Sequence, residues 1–360
     1  MTSDSFPNHF GSGISPNEGR AGGWLLGPYL RSVLPPPLPG RLNLLCVLDW
    51  GLGHAARSLA LAEHLLLAGE RVIFAASGPA AAFLCRESPG TPVHDLPAYR
   101  VTYPSRSMPL NVARQLPHWL GVIVREHRRV RTLVEELGVD RIVSDNRFGC
   151  YAPDVDSIFL THQLHPITRN RPVSAVYRRY LQRFDAYWVP DHPAADRRIS
   201  GQLSDPAGYA NVRYVGPLSR LRPVSVASAP ESVDVLALLS GPEPMRTQLE
   251  NILLPQLADR PGRHVLVRGL PAATTAPAVP GNVTVHNFAD ARLLARLLTA
   301  AGTIVCRSGY STLMDVYAVT DPKKLLLVPT PGQTEQEYLA AREATRTGCR
   351  FVRDQRDLRL

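Results

Sequence analysis

Two junctions between a short apolar run and a helical pattern hold the residues with the clearest chemical use. At the first, residues 303–306 read as a buried strand ending in Arg307, Ser308 and Gly309. The helical pattern that follows puts Tyr310, Leu313, Met314 and Tyr317 on one apolar face and Ser311, Thr312 and Asp315 on the opposite, polar one. At the second, residues 324–328 lead through Pro329, Pro331 and Gly332 to a polar helix opening, Gln333, Thr334, Glu335, Gln336 and Glu337. A helix N-terminus offers unpaired N–H groups and partial positive charge, worth about 0.3–1 kcal/mol to a nearby anion. Diphosphate is a candidate for that anion. Glu337 has a second reading, since Thr334 and Glu337 match a T-x-x-E capping box. Proton-transfer chemistry has its own candidates. His54 ends the turn Asp49-Trp50-Gly51-Leu52-Gly53, with Arg57 three residues on. An imidazole titrating near pH ~6.5 can take a proton at neutral pH, or it can simply satisfy backbone groups at a helix start. Asp145-Asn146-Arg147 and Thr161-His162-Gln163 follow apolar runs at 141–144 and 157–160. Such positions face the crevice at the carboxyl edge of an open α/β sheet, which makes Asp145 and His162 further candidates.

Positioning these groups requires an α/β framework. Residues 43–48, 55–68 and 71–76 read as strand, helix and strand, a βαβ unit with Gly69 as the helix stop. Further strands are predicted at 92–97, 186–189 and 212–216, and helices at 110–137, with Pro117 near a bend or break, and at 173–184. Strands at 234–239, 264–268 and 283–287 precede the two junctions. With 360 residues the chain has room for two domains. Residues 1–40, rich in Ser, Gly, Asn and Pro, are predicted to be a mobile tail, with Trp24 to Leu30 able to dock. The first domain spans 41–219, a Pro-, Ser- and Ala-rich linker 220–230, and the second domain 231–360.

Composition narrows the partners. A formal charge of +9 suits an anionic partner such as a nucleotide sugar or a membrane leaflet, and no RNA-binding signature or zinc-finger spacing supports nucleic acid. Arg125, Arg128, Arg129 and Arg131 among Val122, Ile123, Val124 and Val130 form a basic helix that can lie on a membrane surface or be a solvated face over a packed one. The scattered Cys46, Cys85, Cys150, Cys306 and Cys349 read as buried small hydrophobes in a reducing compartment, not as a metal site or disulfide frame. No apolar run is long enough to span a bilayer, and no secretory signal pattern opens the chain, so a cytoplasmic protein is expected.

The motif C-R-x-G at Cys306, Arg307 and Gly309, an acidic residue six positions on at Asp315, and Gln336-Glu337-Tyr338 in place of Q-Q-Y resemble the donor half of a GT-B glycosyltransferase. Within that fold the motifs resemble in particular the family of the UDP-N-acetylglucosamine transferase of peptidoglycan synthesis (MurG-type). The order D-W-G-L-G-H-A-x-R, S-D-N-R-F-G, T-H-Q-L and P-T-P-G-Q-T-E-Q-E also resembles an uncharacterised bacterial set of glycosyltransferase-like proteins, over residues 43–348. This resemblance implies two Rossmann-like parallel-sheet domains facing a cleft. It implies a nucleotide-sugar donor, UDP by family precedent, bound by the second domain without a metal or cofactor. Gly241 and Arg246 would then meet the donor phosphates beside Arg307, Ser308, Gly309, Ser311 and Thr312; Asp315 would bind the ribose. Gln333, Glu335, Gln336 and Glu337 would face the sugar, and residues 285–288 would border the base. On the acceptor side, Gly51, Gly53, His54, Arg57, Asn146 and Gln163 fill the loops, and His54 would contribute to activating an acceptor hydroxyl on a glycan, lipid or small molecule. Gly51, Gly53, His54 and Arg57 equally resemble the loop of a nucleotide-sugar hydrolase, in which His54 would activate water. A third alternative is a nucleotide-sugar sensor without turnover.

Overall fold

All six residues of β1 (Leu42–Val47) are buried, as befits a parallel strand covered by helices on both faces. Its side chains alternate between two cores: Leu45 and Val47 pack with Leu61, Leu65 and Phe74, while Leu44 and Cys46 pack with Val130, Leu133 and Ile142. The computed structural model describes residues 36–102, 108–167, 171–224 and 232–360. The expected tail up to residue 35, the docking segment at Trp24 and the linker residues 225–231 lie outside them.

β1 heads a seven-stranded sheet of order β3-β2-β1-β4-β5-β6-β7, with β2 Arg71–Ala76, β3 Val93–Asp95, β4 Arg141–Asp145, β5 Asp156–Leu160, β6 Ala186–Val189 and β7 Val212–Tyr214. A second, six-stranded sheet has the order β10-β9-β8-β11-β12-β13, with β8 Val233–Leu238, β9 His264–Val267, β10 Val283–His286, β11 Ala301–Cys306, β12 Leu325–Leu327 and β13 Arg350–Phe351. Every pairing in both is parallel. Each sheet reverses strand order once, between β1 and β4 and between β8 and β11, and ligands of open α/β sheets bind at the carboxyl ends of such strands.

The helices are α1 Leu52–Leu67, α2 Gly78–Glu87, α3 Met108–Leu137, α4 Arg171–Leu181, α5 Met245–Asp259, α6 Ala291–Ala300, α7 Tyr310–Val319 and α8 Thr334–Thr347. Of the bend or break expected at Pro117, the break is absent, since this residue lies inside α3 without ending it. Val122, Ile123 and Val130 of α3 are buried while Arg125, Arg128 and Arg131 are exposed, so this helix packs an apolar face beneath a solvated basic one. Among the described residues no helix is long and apolar enough to cross a membrane. Four cysteines are buried as expected, whereas Cys85 is exposed on α2.

The two sheets meet through α7. The chain leaving the first domain lies along this helix, where the Leu218 N–H donates to Met314 Sδ at 3.3 Å and the Ser219 hydroxyl to Asp315 Oδ1 at 2.5 Å. Phe288, just beyond β10, crosses to the first domain, with its ring 6.1 Å from Phe83 and under the Arg86 guanidinium. A Cβ on Gly53 would lie 2.7 Å from Ser311 Oγ and 3.0 Å from Ser311 Cβ, so the start of α1 approaches the start of α7 as only glycine permits. Gly53→Ala is therefore expected to cost about 1–3 kcal/mol in unfolding free energy, with part recovered in a Gly53→Ala/Ser311→Gly double variant; equal stability of Gly53→Ala and wild type in urea titration would refute the contact.

Candidate active site

Five polar side chains from three segments converge at the switch point of the first sheet. The turn after β1 runs through Gly51, at φ 98°, into α1, whose first two turns carry His54, Arg57 and Ser58. Asp145 is the last residue of β4, and His162 lies two residues beyond β5. The His54 ring places Nδ1 2.8 Å from Asp145 Oδ1 and 2.9 Å from Arg57 Nη2. Arg57 grips the same carboxylate with Nε, 2.7 Å from Oδ2, and with Nη2 on Oδ1, and Ser58 Oγ adds a donor at 3.2 Å. The third guanidinium nitrogen, Nη1, is 3.2 Å from His162 Nδ1.

Electrostatics assigns these groups their charge. Burial alone would raise the Asp145 carboxyl, but the Arg57 and His54 charges and their hydrogen bonds hold it well below the usual carboxylate range. Burial tends to lower the Arg57 guanidinium, yet Asp145 outweighs it and leaves the group above its ordinary value. For His54 burial wins: the imidazole is drawn below its ordinary value despite the pull of Asp145. Asp145 is thus an anion and Arg57 a cation, and His54 is neutral near pH 7. Nδ1 faces the Asp145 anion, which can only accept, while Arg57 Nη2 donates to Asp145 Oδ1; Nδ1 therefore carries the proton, and the basic electron pair is on Nε2, which makes no hydrogen bond to any described residue.

Across from this group stands the switch point of the second sheet. Gly309 begins α7 with no side chain capping it, so the first N–H groups of the helix stay available, and Ser311 and Thr312 are half-buried in its first turn. One helical turn further, half-buried Asp315 meets Ser219; burial raises its carboxyl to about 6 against the lowering effect of the Ser219 bond and Arg220. Gly241 lies exposed in the turn after β8 at φ 100°, and a Cβ there would be 3.7 Å from Oγ1 of buried Thr330, an atom with no hydrogen-bond partner. Gln333 and Gln336 brace this turn: Gln336 Nε2 donates to Gln333 Oε1 at 2.6 Å, and its Oε1 accepts from the Thr330 N–H at 2.8 Å.

Several expected ligands have other tasks. Arg307 is fully buried and donates to the carbonyls of Val328, Pro329 and Met245 and to Gln355 Oε1, tying four segments of the second domain together. Arg246 is equally committed, to Glu243, Glu250 and Thr247, so both guanidiniums are already engaged within the second domain. Ser308 is buried, its hydroxyl donating to the Gln336 carbonyl at 2.7 Å. Glu337 is exposed and the capping box is not formed, since α8 starts at Thr334 behind Gln333 and the Thr334 hydroxyl instead donates to the Ile167 carbonyl. Glu335 points to the first domain, with Oε1 2.7 Å from His162 Nε2. Gln163 Nε2 lies 3.4 Å from the same nitrogen, and Asn146 contributes a left-handed turn at φ 55°. Sequence reasoning passed over Tyr310, counted as a packing residue, which lies flat on the His162 ring at 4.1 Å between centroids and 4° between planes. It also passed over Ser58 and Ser219, single hydroxyls with no pattern to mark them. Trp50, 43 % exposed beside the His54 turn and 5.9 Å from Trp119, does carry a signal, a large aromatic in a polar turn.

Two facing parallel-sheet domains with opposed switch points define the GT-B fold of glycosyltransferases, and comparison with known proteins agrees. The chain is 23 % identical over 311 residues to an uncharacterized glycosyltransferase of Methanosarcina mazei, covering 81 % of this chain and 80 % of that one. Over 314 residues it is 25 % identical to another of Methanosarcina acetivorans, covering 82 % and 79 %. Among solved structures it superposes on the spinosyn rhamnosyltransferase SpnG complexed with thymidine diphosphate at TM-score 0.60 and 16 % identity, covering 88 % of each chain. MurG of Acinetobacter baumannii superposes at TM-score 0.51 and 14 % identity, covering 89 % of this chain and 87 % of that one. No protein-family model matches the chain.

Proposed function

We propose that this protein is a glycosyltransferase that moves a sugar from a nucleoside diphosphate donor to an acceptor hydroxyl without a metal. The observation that carries the reading is the His54–Asp145 pair, its Nε2 unengaged, at one switch point with the uncapped start of α7 at the other. In the reaction, His54 Nε2 takes the acceptor proton as the acceptor oxygen bonds to the anomeric carbon, and the bond from that carbon to the diphosphate oxygen breaks with its electron pair leaving on the diphosphate. Asp145 orients the ring and stabilises the imidazolium. The free N–H groups and partial positive charge of α7 meet the charge growing on the diphosphate, in a preorganised cleft. UDP is the nucleotide favoured by motif resemblance, and thymidine diphosphate is the one held by the neighbour SpnG.

Around the turn that carries His54, Trp50 and, on α3, Leu116 and Leu120 are exposed, a surface suited to an acceptor with an apolar or aromatic body. The same face, with Val124 exposed beside Arg125 and Arg128, supports peripheral association with an anionic membrane. Failure to sediment with vesicles containing anionic lipid would exclude that association.

The function is tested by incubating the purified protein with radiolabelled UDP- and dTDP-sugars, with and without cell extract. Labelled product only with extract supports transfer. Free sugar without acceptor means hydrolysis, and binding without turnover means a sensor. A second measurement concerns Asp315. If its carboxylate accepts the ribose hydroxyls, nucleoside diphosphate affinity should rise as pH increases through about 6, where the group becomes charged, and the rise should vanish in Asp315→Asn. An identical pH profile for the two proteins by calorimetry would remove Asp315 from the donor site.

A further inference from the structure

His162 belongs to the first domain but is held by the second on two sides. Tyr310, the first residue of α7, covers its face, and Glu335, in the first turn of α8, takes its Nε2 edge at 2.7 Å. The ring is nearly inaccessible, with a side-chain exposure of 8 %, so it has few other partners to turn to. Both of its nitrogens have an assigned use. Arg57 has only hydrogens to offer, so His162 Nδ1, 3.2 Å from Arg57 Nη1, must accept. Nε2 then bears the proton and donates it to the Glu335 carboxylate. Continuing inward, Arg57 is clamped by two nitrogens to Asp145, and Asp145 holds His54. An unbroken chain of contacts therefore runs from Glu335 in the second domain to the imidazole that faces the cleft in the first.

We propose that Glu335 is a positioning residue that acts across the domain boundary: by holding the Nε2–H edge of His162 it fixes Arg57, and through Arg57 the Asp145–His54 pair, so that the proton acceptor of the first domain is in place only while the second domain is docked on it. The inference rests on the transferase reading for its kinetic consequence, but the coupling itself is a property of the free protein. It has a chemical rationale. Until both lobes close on their substrates, an activated donor sugar is exposed to water, and a base assembled only on docking is withheld from that side reaction.

The test has two arms. In the free protein, proton–nitrogen NMR of the imidazoles should show a slowly exchanging His162 Nε2–H signal that is lost in Glu335→Ala and retained in Glu335→Gln, whose side-chain oxygen still accepts. The ring resonances of His54, which Glu335 does not touch, should move in Glu335→Ala. In turnover, Glu335→Ala should lower kcat ~10-fold to ~100-fold with KM for the donor unchanged. Adding His162→Ala should then lower it little further, because the two changes break one chain. His54 resonances unmoved by Glu335→Ala would overturn the proposal, and so would a raised donor KM with additive losses, which would make Glu335 an ordinary sugar ligand. Should His162→Ala not fold, the contrast between Glu335→Gln and Glu335→Ala carries the decision. If the wild type transfers no sugar, the transferase reading fails, while the NMR arm still settles the coupling.

Discussion

Replacing His54 with alanine is expected to lower turnover by about 10²- to 10⁴-fold while leaving nucleoside diphosphate affinity unchanged. The reason is that His54 stands in the first domain, where its contacts are Asp145 and Arg57, whereas the candidate donor groups Gly309, Thr312 and Asp315 belong to α7 and its entry. Losing the imidazole removes the proton acceptor without touching the groups that would hold the diphosphate or ribose. The pH profile of the wild type should corroborate this. The neutral imidazole is the active form, so the rate rises with pH through the His54 pKa; burial lowers that pKa, so the midpoint of the acid limb should fall below the ordinary histidine value of about 6.5. Turnover within twofold of wild type in His54→Ala would remove His54 from the mechanism, and lost nucleotide binding would reassign it to the donor site.

Asp145→Ala should be the most damaging single change, abolishing turnover and costing about 3–5 kcal/mol of stability. Asp145 and Arg57 are both about 1 % exposed, and the carboxylate is the only anion that Arg57 touches among the described residues. Deleting it leaves a desolvated guanidinium without a counter-charge, which is far worse than never having buried the pair. The sign of the pH effect follows from the depressed pKa: this stabilisation is present above the unfolded value of about 3.9 and is lost only as pH falls toward the lower folded value. Urea unfolding at pH 7 measures the cost. Adding Arg57→Met to Asp145→Ala should restore much of the stability by removing the orphaned cation, and none of the activity. A stability loss under 1 kcal/mol in Asp145→Ala would show that the pair is not the keystone of this sheet edge.

Much of the architecture was legible because it depends on local pattern. Strands such as β2 and β6 were recoverable to the residue, since a strand buried on both faces must be apolar throughout and is closed by polar or proline residues. The same logic placed His54, Asp145 and His162 together: each follows a buried strand, and parallel strands deliver their carboxyl ends to one edge. The long-range partners of arginine were not legible. Arg307 stands in a motif that resembles a phosphate-binding turn, yet it is surrounded by Val328, Pro329, Met245 and Gln355, none of which is near it in sequence. Arg246 likewise has partners at Glu243 and Glu250, and one helical turn of spacing does not say whether a cation faces its own helix or a cleft.

Residue types and their order were thus enough for two α/β units, a crevice at each and the histidine and carboxylate beside the first, because strand burial and strand-end geometry follow from short stretches of chain. Which polar groups are left open toward the cleft was decided only when the two domains came together. Glu335 was directed to His162, Ser219 to Asp315 and Tyr310 onto an imidazole ring by packing between segments more than 90 residues apart. A polar side chain buried at such a contact takes whatever partner satisfies it, and that choice depends on distance in space, which no local pattern records.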